Sequence, residues 1–212
     1  MTDDLQLSNF DSITQYLLTL KPQSICDAGF GKLQWLDWCI KHNLSFEGIE
    51  IDDQLVGEGR KRYPDYAAKL HQGDLSEGLP FADNSYDIVL LIEVIEHIQT
   101  PEKVINVLKE CVRVAKRKVV ITTPNCGDEQ MLRENGLIYI HYTHTASAGM
   151  KFTIDRAHRH WLRFTKNNLC ELLVANFAHF EVVEKKPIKI LKPVIYDKLW
   201  AEIDAAKEKG LV

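Results

Sequence analysis

Ser24-Ile25-Cys26-Asp27-Ala28-Gly29-Phe30-Gly31-Lys32-Leu33 decides how the rest of the chain is read. Ser24 to Asp27 fits a short buried strand, Gly29 and Gly31 follow, and Leu33, Leu36 and Ile40 then recur at the spacing of one apolar helical face. Strand, glycine turn and helix in this order form a recognisable unit. Glycine permits a sharp turn with positive φ and lets a ligand approach where a Cβ would collide. The helix behind the turn begins with amide hydrogens that no preceding carbonyl accepts.

Outward from this unit, apolar runs and helical periods alternate. Ile13, Tyr16, Leu17 and Leu20 mark a leading helix over 10–20 that covers one edge of the domain and is closed by Lys21-Pro22. Phe46 to Ile51 is a second strand, and Asp52 and Asp53 supply capping carboxylates for a helix that runs to about Arg62. Ala67 to Gln72 reads as a third strand ending at Gly73-Asp74-Leu75, and Leu79 to Ser85 as a turn-rich connector. Tyr86 to Ile92 is nearly all apolar, as in a parallel strand covered on both faces. Val104, Val107, Leu108, Cys111 and Ala115 share a face of a helix over 101–115, and Val119 to Thr123 is a further strand stopped by Pro124. Such alternation implies right-handed crossovers and a mostly parallel sheet with helices on both faces, an α/β Rossmann-like fold.

The segment 125–161 breaks the rhythm, being long, rich in His, Tyr and Thr, and without a period; its length suits a lid over a site, with a short helix within Met131 to Tyr142. Thr165 caps a helix that uses Leu169, Leu172 and Leu173, a strand follows at Phe180 to Val183, and Val194 to Lys209 has the pattern of an amphipathic helix. The expected organisation is one domain over 1–193, with the lid inserted at about 125–161, followed by a C-terminal helix over 194–212.

Composition narrows the function. With 212 residues, 45% of them hydrophobic, the chain suits a single α/β domain. Lys and Arg number 26 against 30 Asp and Glu, giving a net charge of −4, which argues against a protein that grips nucleic acid mainly through phosphate charge. Cys26, Cys39, Cys111, Cys126 and Cys170 are scattered, odd in number and set mostly in apolar stretches, as in a reduced cytoplasmic protein. The start Met1-Thr2-Asp3-Asp4 lacks the basic segment of a secretory signal, and no apolar stretch approaches the roughly 20 residues a bilayer crossing needs, so no membrane role is expected. Trp35, Trp38 and Trp200 read as packing residues.

In an open α/β sheet, ligands bind beyond the carboxyl ends of the strands. Asp27, Glu50, Asp74 and Glu93 follow the first four strands in turn and therefore collect along that rim. A carboxylate after the second strand can accept both hydroxyls of a ribose, and one after the third can accept from an exocyclic amine, so the set suits an adenosine.

On these residues the chain resembles class I S-adenosylmethionine-dependent methyltransferases. The matching stretches are Ile25 to Gly31, Gly48 to Asp52, Gly73 to Leu75 and, most specific, Leu79 to Val89. The resemblance implies S-adenosyl-L-methionine as cofactor. Asp27, Gly29 and Gly31 would surround its methionine part, Glu50 with Ile51 would hold the ribose side, Asp74 and Leu75 would face the adenine, and Glu93 would complete the rim. Many members have a third glycine where this chain has Leu33, a departure that packing of Leu33 on the sheet accommodates. A nicotinamide-binding fold fits less well, because Gly29-Phe30-Gly31-Lys32-Leu33 lacks the wider G-x-G-x-x-G spacing.

A second constellation is Glu93-Val94-Ile95-Glu96-His97. If the chain turns helical after Ile92, positions i, i+3 and i+4 share a face. The pattern resembles two methyltransferase subfamilies with a Glu-x-x-Glu-His motif. In small-RNA 3′-terminal 2′-O-methyltransferases it holds a divalent cation together with a later histidine; ubiquinone-biosynthesis O-methyltransferases share it. The resemblance implies Glu93, Glu96, His97 and His160 as ligands of Mg²⁺ or Mn²⁺, with His158 as a spare, while the bland alternative is that Glu96 and His97 only close the strand-to-helix turn. His97, His141, His144 and His160 are the candidate catalytic residues. The expected activity is O-methylation of a small molecule or sugar. Alternatives are a metal-assisted RNA 3′-terminal 2′-O-methyltransferase, with RNA as partner, and a non-catalytic cofactor-binding subunit that docks through the C-terminal helix.

Overall fold

A computed structural model describes residues 9–125, 162, 164–185 and 197–211. Its centre is a seven-stranded sheet whose elements, in chain order, are α1 (Asn9–Leu20), β1 (Ser24–Ala28), α2 (Gln34–Lys41), β2 (Ser45–Glu50), α3 (Asp53–Arg62), β3 (Leu70–Gln72), β4 (Tyr86–Ile92), α4 (Pro101–Val114), β5 (Ala115–Asn125), α5 (Lys166–Val174), β6 (Phe180–Lys185), β7 (Asp197–Asp204) and the single turn α6 (Ala205–Glu208). The strand order is β3-β2-β1-β4-β5-β7-β6, parallel from β3 through β5, with β7 antiparallel to both of its neighbours. The mostly parallel α/β sheet expected from the alternation is therefore present. Chain order reverses between β1 and β4, which opens a crevice at the carboxyl ends of those two strands.

Two apolar layers cover the sheet, and the pleat assigns residues to them alternately. Val89 and Leu91 of β4 pack with α4 and α5, whereas Ile88, Leu90 and Ile92 pack with α1 and α2. Both sets are buried, so β4 is apolar along nearly its whole length. Arg113 on α4 fixes the connector before β4: its guanidinium donates to the carbonyls of Leu79 and Phe81 and pairs with Glu110 and Asp83.

Several boundaries differ from expectation. Ala67 to Lys69 belong to a 3₁₀ turn over Pro64–Lys69 that begins at a proline, so β3 starts only at Leu70. On α2 the buried face is Trp35, Leu36, Trp38 and Cys39, while Ile40 is 44% exposed and Leu33 precedes the helix at φ 61. The two tryptophans, being larger, capture the face that the aliphatic spacing assigns to Ile40. Pro124 does not stop β5: the ladder with β4 ends at Thr122 and the bridge to Phe164 falls at Asn125, so Pro124 itself is paired only with Lys198 of β7, and a proline lacking its N–H is tolerated where one side of the ladder is open. Helix α1 lies on a face of the sheet rather than along an edge, with Tyr16 edge-on to Trp200 of β7.

The largest correction concerns the tail. Residues 197–204, expected within a helix, form β7 inside the sheet, with Leu199, Ala201 and Ile203 buried on one face and Trp200 on the other. Of the lid expected over 125–161, Asn125 instead ends β5, and the remainder, with its short helix, lies outside the described residues.

Candidate active site

At the crevice, β1 ends in Ala28, and Gly29 turns the chain with φ 89 while its N–H donates to the Ile49 carbonyl of β2 at 2.8 Å. A Cβ on Gly29 would lie 2.6 Å from Val94 Cγ2, so the turn is closed to side chains there. Gly31 has φ 49 and would meet nothing within 4 Å, so its turn faces open space. Glu50, at the end of β2, ties the rim together. One carboxylate oxygen accepts from Gly31 N–H at 2.9 Å, and the other accepts from Ile51 N–H at 2.9 Å and Asp52 N–H at 3.1 Å. Asp52 caps α3 through Gln54 N–H and Leu55 N–H. Asp74, beyond β3, accepts from Ser76 N–H at 2.8 Å.

These groups enclose a cavity of about 740 Å³, a size ordinary for small-molecule and cofactor sites. Gly29, Gly31, Glu50, Ile51, Asp74, Leu75 and Glu93 all line it, so the sequence brought seven of its eight rim residues to one place. Asp27 is the exception. It is fully buried beneath the turn, and neither carboxylate oxygen has a hydrogen-bond partner among the described residues. Burial, and secondarily the charge of Glu50, pushes its carboxyl up to about 8. Ile51 is 60% exposed, an apolar side chain open at the rim.

Asp27 holds its proton more tightly folded than unfolded. Its contribution to stability is therefore complete below the ordinary carboxylate range and is lost as pH rises through about 8. Asp27→Asn should raise the melting temperature at pH 9 by several degrees, on the order of 4 °C, and change it by only about 1 °C at pH 5. Melting curves across that range check this; an equal shift at both ends would contradict the burial of an acid here.

The Glu-x-x-Glu-His stretch does not form one helical face. Glu93 adopts φ 57 and Val94 φ −122, and only Ile95–His97 turns, as a 3₁₀ segment. Glu93 and His97 line the cavity. Glu96 is instead buried at 2% exposure, where it accepts from Thr123 Oγ1 at 2.9 Å, and burial with the nearby charge of Glu93 pushes its carboxyl well above the usual carboxylate range. Glu93 accepts from Thr122 Oγ1 at 2.8 Å and forms an ion pair with Lys198. Among the described residues no group of three or more His, Cys, Asp or Glu side chains is placed to hold a metal ion. His141, His144, His158 and His160 lie outside the described residues.

Two contributors had no signal in the sequence reading. Lys103, on the first turn of α4, lines the cavity. Lys198 reaches Glu93 only because the tail is a strand.

Acceptor carboxylates follow β2 and β3, a glycine turn follows β1, and below it lies a buried acid with no hydrogen-bond partner among the described residues. The sequence of residues 26–122 matches the family described as methyltransferase domain. Residues 26–122 carry a methyltransferase domain. The fold agrees with solved structures of methyltransferases. One is a methyltransferase from Methanosarcina mazei, described as SAM-dependent, at 20% identity, TM-score 0.67, covering 93% of this chain and 99% of that one. Another is the magnesium protoporphyrin IX methyltransferase from Synechocystis PCC 6803 with S-adenosylhomocysteine bound, at 16% identity, TM-score 0.60, covering 92% and 81%. A third is the methyltransferase domain of bacterial CtHen1, at 16% identity, TM-score 0.61, covering 95% and 100%. None of the curated proteins matches the sequence. No helix among the described residues is long and apolar enough to cross a membrane.

Proposed function

We propose that the protein is a class I S-adenosylmethionine-dependent methyltransferase that transfers a methyl group to an oxygen of a small molecule or sugar. Glu50 would accept from the ribose hydroxyls, Asp74 from the adenine amine, and Ile51 and Leu75 would flank the base. The turn through Gly29 and Gly31 would admit the methionine part. The bound cofactor supplies an electrophilic methyl group on a cationic sulfur, so the protein's work is to align the acceptor and exclude water.

The observation that carries this reading is the composition of the cavity wall. Glu50, Asp52, Asp74 and Glu93 outnumber Lys32 and Lys103 there, a balance that repels polyphosphate chains and admits a compact acceptor. A hydroxyl acceptor must lose a proton as it takes the methyl group, and His97, lining the cavity with Glu93, supplies an imidazole to receive it.

The test is labelled-methyl transfer from S-adenosylmethionine into extracted metabolites and, separately, into RNA, each with and without EDTA. Label in a small hydroxylated product, insensitive to EDTA, supports the proposal. Label in RNA ends that EDTA abolishes would replace it with the metal-assisted alternative, and cofactor binding without label in either pool would favour a non-catalytic subunit.

A further inference from the structure

Lys198 is the second residue of β7 and is paired in register with Pro124 of β5, which places its ammonium at the carboxyl end of the parallel strands. There it meets Glu93, whose other carboxylate oxygen takes the Thr122 hydroxyl, and the Glu93 N–H donates to the Thr122 carbonyl at 2.9 Å. Glu93 is thus held from β5 and β7 in a left-handed conformation that a residue with a Cβ adopts only at a cost. The arrangement keeps one carboxylate on the cavity wall with a cation behind it.

The sheet order gives this pair its meaning. With adenine at Asp74 beyond β3 and ribose at Glu50 beyond β2, the remaining end of the cofactor extends across β1 towards β4, where Glu93 stands. This step rests on the cofactor placement given above. Donor and spent product differ at that end by one methyl group and one positive charge. A lone carboxylate would hold the cationic form preferentially, stabilising the ground state of a reaction in which that charge disappears.

We infer that Lys198 is a positioning residue that neutralises Glu93 and thereby limits the cavity's preference for the cationic donor over the neutral product. Among the described residues, other titratable side chains near Glu93 include Glu96, buried on Thr123, and His97 on the cavity wall.

Calorimetric titration of the full chain with S-adenosylmethionine and with S-adenosylhomocysteine reads the preference as a ratio of affinities. Lys198→Met should shift that ratio about fivefold towards the donor, the scale of one solvent-screened charge a few ångströms away at a partly exposed site. Glu93→Gln should shift it the opposite way, by leaving the ammonium uncompensated. Lys198→Arg should keep the wild-type ratio, and the double variant Glu93→Gln with Lys198→Met should return close to it. Melting curves accompany each variant; if Lys198→Met fails to fold, Glu93→Gln and Lys198→Arg decide. Ratios that stay within about twofold of wild type while both ligands bind would overturn the inference. Wild-type protein that binds neither ligand would overturn the cofactor placement beneath it instead.

Discussion

Glu50→Ala should weaken S-adenosylhomocysteine binding by about 100-fold or more, since hydrogen bonds to a charged acceptor contribute roughly 1.5–3 kcal/mol each and two ribose hydroxyls would lose theirs. The same carboxylate also accepts from Gly31, Ile51 and Asp52 N–H groups, so its removal loosens the turn after β1 together with the start of α3. Glu50→Gln keeps an acceptor oxygen and should cost nearer tenfold. Asp74→Ala should also fall near tenfold, because one amine contact and the Ser76 N–H cap are lost while the fold stays intact. Titration calorimetry beside melting curves separates the effects: affinity should collapse in Glu50→Ala with only a few degrees lost in melting temperature. Unchanged affinity in that variant would place the ribose elsewhere.

Glu50 and Asp74 were legible in the sequence for a simple physical reason. Each stands where a short strand gives way to turn residues, Glu50 at the end of β2 and Asp74 two residues past β3, and a carboxylate at that point emerges at the carboxyl rim of a parallel sheet. Asp27 was legible as part of the same set but not as a buried group, because its depth depends on packing against β2 and α2, which no local pattern encodes. Glu96 is the parallel case. The spacing Glu93, Glu96, His97 satisfies a helix, yet Glu93 at φ 57 rotates the chain so that Glu96 points inward to Thr123 of β5. That contact joins residues distant in sequence, and only the sheet brings them together.

The tail illustrates a different ambiguity, and it supplies the second large effect. Leu199, Trp200 and Ile203 stand at i, i+1 and i+4, an apolar stripe on a helix, whereas a strand puts Leu199 and Ile203 on one face and Trp200 on the other. Both readings bury all three, so these residues cannot discriminate. Ala201 can: on a helix it would lie on the side opposite the stripe, but in β7 it is fully buried between Leu199 and Ile203. Ala201→Asp should therefore destabilise the domain by about 3 kcal/mol or more, through burial of an unpaired charge and overpacking, with a melting temperature lower by roughly 10 °C. Lys207→Ala, on the exposed turn after β7, should stay within about 0.5 kcal/mol. Removal of 197–212 should abolish cooperative unfolding altogether, because it strips the partner of β5 and leaves β6 unpaired. A peripheral helix predicts the reverse order, a silent Ala201→Asp and a truncated domain that still melts cooperatively. Without a cooperatively folded sheet the crevice is lost, so the truncated protein should also lose cofactor binding, and a folded, binding-competent truncation would displace β7 from the sheet.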